Sequence, residues 1–127
     1  MNLQQELDTF NGTQFYYDLK YPFGKLLVYT DGIKYLADKA GAYWLIDIVA
    51  SHLLTNSNLR KEEFQVWKLV RTGSQALVTC DDGNGNIIVE QKIQYTDFPL
   101  EKIKLYLEFG SIDGKNRVWV LMLPGER

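Results

Sequence analysis

GAYWLIDIVASH, residues Gly41 to His52, is the densest stretch of the chain and decides how the rest is read. It carries Tyr43 and Trp44, a run of aliphatics, one Asp, one Ser and the only histidine. Set on a helical wheel at 100° per residue, residues 42–54 are apolar in nearly every direction. The exception is a narrow stripe holding Asp47 and Ser51, about 40° apart, flanked by Tyr43, Leu54 and Trp44. A helix of this kind is usually buried on several sides, so the spacing predicts the central helix of a core. His52 falls about 100° from Ser51 and about 140° from Asp47. These three therefore cannot form a triad, and His52 reads as a packed histidine near a helix C-terminus. Asp47, on a helix expected to be buried, needs either a hydrogen-bond network or a ligand-facing position.

Working outward, Ile33, Leu36, Ala37 and Ala40 follow helical spacing, and Thr30 or Asp31 can cap them. A helix over 31–40 is preferred to a hairpin turn at Asp31-Gly32. Gly41 breaks it before the helix of 42–54. Leu3 and Leu7 suggest a short helix over 2–10, closed by Asn11-Gly12. Residues 13–25 read as aromatic and irregular, with Phe15, Tyr16, Tyr17 and Tyr21 clustered and a turn at Pro22 and Gly24. Residues 26–30 read as a short strand.

After residue 60 the period changes. Residues 62–71, 76–81 and 87–94 are β-rich and roughly alternating. Residues 103–109 alternate strictly, with Ile103, Leu105, Leu107 and Phe109 on one side, although a helix from Asp97 competes. Residues 117–123 read as a last strand. Helices first, strands later and short links together predict an α+β fold. The expected fold is an antiparallel sheet of four to six strands, mostly within 62–123. Two or three helices, at about 2–10, 31–40 and 42–54, pack on one face. At 127 residues the chain reads as a single globular domain over 1–127.

The formal charge of −2 and the absence of any Lys/Arg run argue against nucleic-acid binding. The lone cysteine, Cys80, rules out an intramolecular disulfide. The N-terminus lacks a secretion signal, and no apolar window approaches membrane-spanning length, so a cytoplasmic protein is expected.

No catalytic motif emerges. In DGNGN (Asp82 to Asn86) the calcium-loop pattern fails, because Ile87 and Ile93 stand where glycine and glutamate belong. That stretch and SIDGKN (Ser111 to Asn116) read as turns. Cys80 has no partner in sequence that would make it a nucleophile or metal ligand. The neighbouring acids Asp81/Asp82 and Glu62/Glu63 read as solvated charges. No metal and no cofactor are expected.

Two functional readings follow. The strand over 62–71 has large apolar groups on both faces. If one face meets the helices, the other shows Trp67 and Leu69, joined by Trp119 and Leu121, as a protein-binding patch. That reading is a non-enzymatic interaction protein, a homodimer or a partner-binding accessory factor. Its rival is a small-ligand site or an unrecognised enzyme. The pocket would be walled by Tyr16, Tyr17, Tyr29, Tyr43 and Trp44 and anchored by Asp31 and Asp47.

VYTDGIKYLADKAGAYWLIDIVASH (28–52), EEFQVW (62–67), YTDFPL (95–100) and LMLPGE (121–126) together resemble an uncharacterised family of small bacterial proteins, a domain of unknown function. The resemblance covers roughly residues 10–125. It implies one domain with no established activity, in a family often encoded near mobile elements. The family joins its last two strands tightly, whereas FGSIDGKNR (109–117) makes a longer loop here. That departure favours a hairpin over a helix at 103–123.

Overall fold

The computed structural model describes residues 2–19 and 26–127. The turn expected at Pro22 and Gly24, and Tyr21 with it, lie outside the described residues.

Helix α1 (Leu3–Leu7) is held by a capping box, with Asn2 accepting from the Gln5 N–H and the Gln5 side chain accepting in return from the Asn2 N–H. It is shorter than the expected 2–10. Strand β1 (Tyr16–Asp18) pairs antiparallel with β2 (Leu27–Thr30). Thr30 then caps helix α2 (Asp31–Ala40), its hydroxyl accepting from the Ile33 N–H. Gly41 ends that helix at φ 60°, a left-handed position that glycine occupies without strain. Helix α3 (Tyr43–Thr55) follows. The second half is strand after strand: β3 (Phe64–Thr72), β4 (Gln75–Asp81), β5 (Ile87–Ile93), β6 (Lys102–Ser111) and β7 (Arg117–Met122). The competing helix at 103–109 is not formed.

Among the described residues the sheet has seven strands in the order β1-β2-β7-β6-β3-β4-β5. The α+β class holds, and two expectations are corrected. The strand count exceeds four to six, because β1 lies inside the segment expected to be irregular. The sheet is also not wholly antiparallel, since β2 lies parallel to β7. The α2–α3 pair and the four strands β3 to β6 separate those two strands in sequence. Local alternation could not reveal that they are neighbours.

One face of the sheet meets the helices. Leu27 and Tyr29 of β2, Trp119 and Leu121 of β7, and Leu105 and Leu107 of β6 join Trp67 and Leu69 of β3 in one buried cluster. The same cluster takes Leu7 from α1, Ile33 and Leu36 from α2, and Leu45, Val49 and Leu53 from α3. Burying each such side chain contributes roughly 1.5–3 kcal/mol. The opposite face carries a smaller cluster of Val28, Val120 and Met122 beside Tyr106 and Val118.

This arrangement corrects the expected interaction patch. Trp67, Leu69, Trp119 and Leu121 are all in the core, at 1%, 1%, 8% and 0% exposure. The physical reason is register. Trp67 lies opposite Leu105 and Leu69 opposite Ile103, while Leu121 lies opposite Leu107 and Trp119 opposite Phe109. Opposite residues in a ladder share a face, so the strict alternation of β6 carries all four inward.

Helix α3 is central but not enclosed. Leu45, Ile46, Val49, Ala50 and Leu53 are buried, whereas Tyr43, Asp47, Ser51 and Leu54 are exposed. The polar stripe read from the wheel is therefore the solvent face. No helix among the described residues is long and apolar enough to cross a membrane.

Candidate functional site

The seven residues proposed for a Tyr/Trp-lined pocket do not form one wall. Tyr17 and Asp31 bond to each other, the buried Tyr29 only stacks on Tyr17, and Tyr43 bonds to Asp38 instead. Tyr17 stacks on Tyr29 with ring centroids 5.5 Å apart, and its hydroxyl donates to Asp31 at 2.9 Å. Asp31 also accepts from the Gln14 N–H at 2.8 Å and the Phe15 N–H at 3.4 Å. Desolvation disfavours the Asp31 carboxylate, but donation from Gln14, Tyr17, Thr13 and Phe15 outweighs it and holds the carboxyl below its ordinary range. The bond to Asp31 in turn pushes the Tyr17 hydroxyl upward. Burial pushes Tyr29 the same way. Tyr43 donates to Asp38, which also pairs with Lys34 at 2.8 Å, and those bonds hold Asp38 below the usual carboxylate range.

The remaining members stand apart. Tyr16 is 42% exposed. Trp44 packs edge-on against Phe98, at 6.2 Å between centroids. Asp47 points to solvent. The requirement that it be paired or ligand-bound lapses, because the helix face it occupies is not buried.

A second polar group lies within the core. Gln65, fully buried, donates to the carbonyls of Leu59 and Glu62, each at 2.9 Å, and accepts from the Trp67 indole at 3.0 Å. Cys80 lies against the same amide, at 3.7 Å. Burial first, then the nearby acids Asp81, Asp82 and Glu62, pushes its thiol up to about 12, which leaves it inert near neutral pH. His52 bonds to Gln91 at 2.6 Å and tilts against Trp67, the packed role expected of it. Asp81, read as solvated, is instead buried, held by the Gly83 N–H at 2.7 Å and by Lys68 at 3.8 Å. Asp82 and Asp113 accept backbone N–H groups of their own turns, the structural role expected of both loops.

The feature that sequence reading missed is a gap in the sheet. Strand β6 begins at Lys102 and pairs with β3 over its first seven residues, Lys102 to Glu108. Strand β7 reaches only as far as the Tyr106–Met122 pair. Residues 102–105 therefore have a neighbour on one side and none on the other among the described strands. The cause is local. Continuing the β6–β7 register would set Pro124 opposite Lys104. Proline has no N–H to donate to the ladder, and Pro124–Glu126 turns instead into a 3₁₀ turn.

The backbone groups facing the gap follow from ladder alternation. The Arg71 N–H donates to the Glu101 carbonyl and the Phe109 N–H to the Glu63 carbonyl, so the odd residues of β6 bond to β3. In an antiparallel strand the alternate residues turn their N–H and C=O the other way. Tyr106, Glu108 and Gly110 use theirs on β7, so Lys102 and Lys104 aim theirs into the gap.

The gap is a cavity of about 580 Å³. Lys102, Ile103 and Lys104 form one wall, backed by Lys68, Leu69 and Val70 of β3. Gln4, Leu7, Asp8 and Phe10, on and after α1, form the opposite wall with Leu123, Pro124 and Gly125. The side chains of Lys102, Lys104 and Lys68 lie on the sheet face away from the helices, Lys104 directly opposite Lys68. Neither Lys102 nor Lys104 has an ion-pair partner among the described residues. Asp8 takes the Gln4 amide at 2.8 Å. The signal in the sequence was faint: KIKL at the start of a long strand, and LPGE cutting its neighbour short.

The profile of a family of unknown function, DUF6876, matches residues 1–127, and the chain belongs to that family. No curated protein and no solved structure matches it.

Proposed function

We propose that this chain is a non-enzymatic protein-binding module, an accessory factor that captures a polypeptide at the gap beside β6. The observation that carries this reading is the unpaired stretch Lys102 to Leu105, with apolar side chains on one side and lysines on the other. A sheet edge with free N–H and C=O groups is a template for another strand. The gap lies within the sheet, between β6 and the turn that follows β7, so an entering segment would gain contacts on both flanks. The expected Trp67/Trp119 patch no longer supports an interaction role, and the gap takes its place. The accessory role near mobile elements rests on the family resemblance alone.

The small-ligand reading has weaker support. Asp31 and Tyr17 are occupied with each other, Tyr43 with Asp38, and Asp47 stands away from the cavity.

The test is site-specific photocrosslinking. Benzoyl-phenylalanine is placed at Lys104 or, as a control, at the exposed Ser57, in cells that produce the chain natively. A discrete polypeptide adduct at 104 and not at 57 is the expected result. Equal labelling at both positions, or no polypeptide adduct at 104, rejects the reading.

A further inference from the structure

We infer that the occupant of the gap is an extended segment of about four residues that alternates acidic and apolar side chains and completes the sheet as a strand beside β6. The inference rests on the protein-binding reading above and adds the chemistry of the partner. Four residues from Lys102 to Leu105 span about 13 Å, which sets the length.

Alternation sets the pattern. A residue directly opposite Lys102 or Lys104 points to the same face as those lysines. That face already carries Lys68 opposite Lys104. Lys68 pairs with one carboxylate, Asp81, while Lys102 and Lys104 pair with none among the described residues, and the one carboxylate that lines the cavity, Asp8, belongs to the wall after α1. Carboxylates at alternate positions would meet three ammonium groups. A basic segment would face like charges across the strand. Residues opposite Ile103 and Leu105 turn to the helix side, toward Leu7, Phe10 and Leu123, where apolar side chains fit. The backbone supplies the remaining specificity, because only an extended chain can bond to the groups that Lys102 and Lys104 aim outward.

Fluorescence anisotropy with a labelled Glu-Val peptide, repeated four times and capped at both ends, tests this directly on the full chain. Three comparison peptides go with it: a block isomer of the same composition, a Lys-Val repeat, and the Glu-Val repeat with alternate amides N-methylated. The Glu-Val repeat is expected to bind, at least about tenfold more tightly than each of the three. The double variant K102E/K104E changes two exposed side chains, and it is expected to lose at least about tenfold in affinity for the Glu-Val repeat. Equal binding of the block isomer or of the N-methylated peptide overturns the strand geometry. Equal binding of the Lys-Val repeat, or no binding of Glu-Val, overturns the charge pattern. If the peptides fail while the Lys104 photoadduct forms, the partner chemistry is wrong and the protein-binding reading stands. If the photoadduct also fails, both fall.

Discussion

The Glu126 carboxylate sits where a side chain on Gly32 would have to go. A Cβ built at Gly32 would lie 2.5 Å from Glu126 Oε1 and 2.6 Å from Leu123 Cδ1. Glu126 accepts from the Gly32 N–H at 3.0 Å, from the Thr30 hydroxyl at 2.6 Å and from the Leu123 N–H at 3.0 Å. The carboxylate thus caps the first turn of α2, where exposed N–H groups favour negative charge. TDG and LPGE are far apart in sequence and form one joint in space. That joint also fixes the turn that ends β7 and leaves the gap beside β6.

Gly32→Ala is expected to destabilise the fold by about 1–3 kcal/mol, because the displaced Glu126 loses its bonds. Glu126→Ala is expected to cost about 1–2 kcal/mol through the lost cap. The two should not add, since each removes the same contacts. Urea denaturation of both single variants and the double variant checks this. Additive costs would show that the joint is not a unit.

Acid should weaken the structure through Asp31. Its folded pKa lies below its unfolded value, so its contribution is fully present above about pH 4. That contribution is lost as the pH falls through the lower, folded value. Urea midpoints measured from pH 6 to pH 2 should fall less steeply in Asp31→Asn than in the native chain. Parallel curves would place the acid sensitivity elsewhere.

Cys80 should not react with an aromatic disulfide reagent at pH 8 in the native state and should react at once in urea, because burial holds the thiol protonated. Fast native labelling would mean that the core around Gln65 and Trp67 opens readily.

Gln65→Leu is expected to cost about 1–3 kcal/mol, since the buried Trp67 N–H loses its acceptor. Trp67→Ala is expected to cost about 3–5 kcal/mol. Thermal melting of the two variants gives the ranking. A neutral Gln65→Leu would mean that the indole finds another partner.

The sequence alone determined helix α3, its start after Gly41 and the strand character of β3, β4, β5 and β7, because these follow from local periodicity. It favoured α2 and β6 but left a turn at Asp31-Gly32 and a helix from Asp97 as alternatives that only the tertiary structure removed. It also determined which stripe of α3 is polar. It could not say that this stripe faces water. Asp47 and Ser51 can line a buried network or an open surface, and only the position of the sheet decides between them. It could not choose the face of Trp67 either. Apolar residues at both parities of β3 leave the choice to the register with Ile103 and Leu105. The parallel pairing of β2 with β7, the contact of Glu126 with Gly32 and the open edge at Lys102 and Lys104 belong to the tertiary structure alone. Each depends on residues distant in sequence meeting in space, and local spacing carries no record of such meetings.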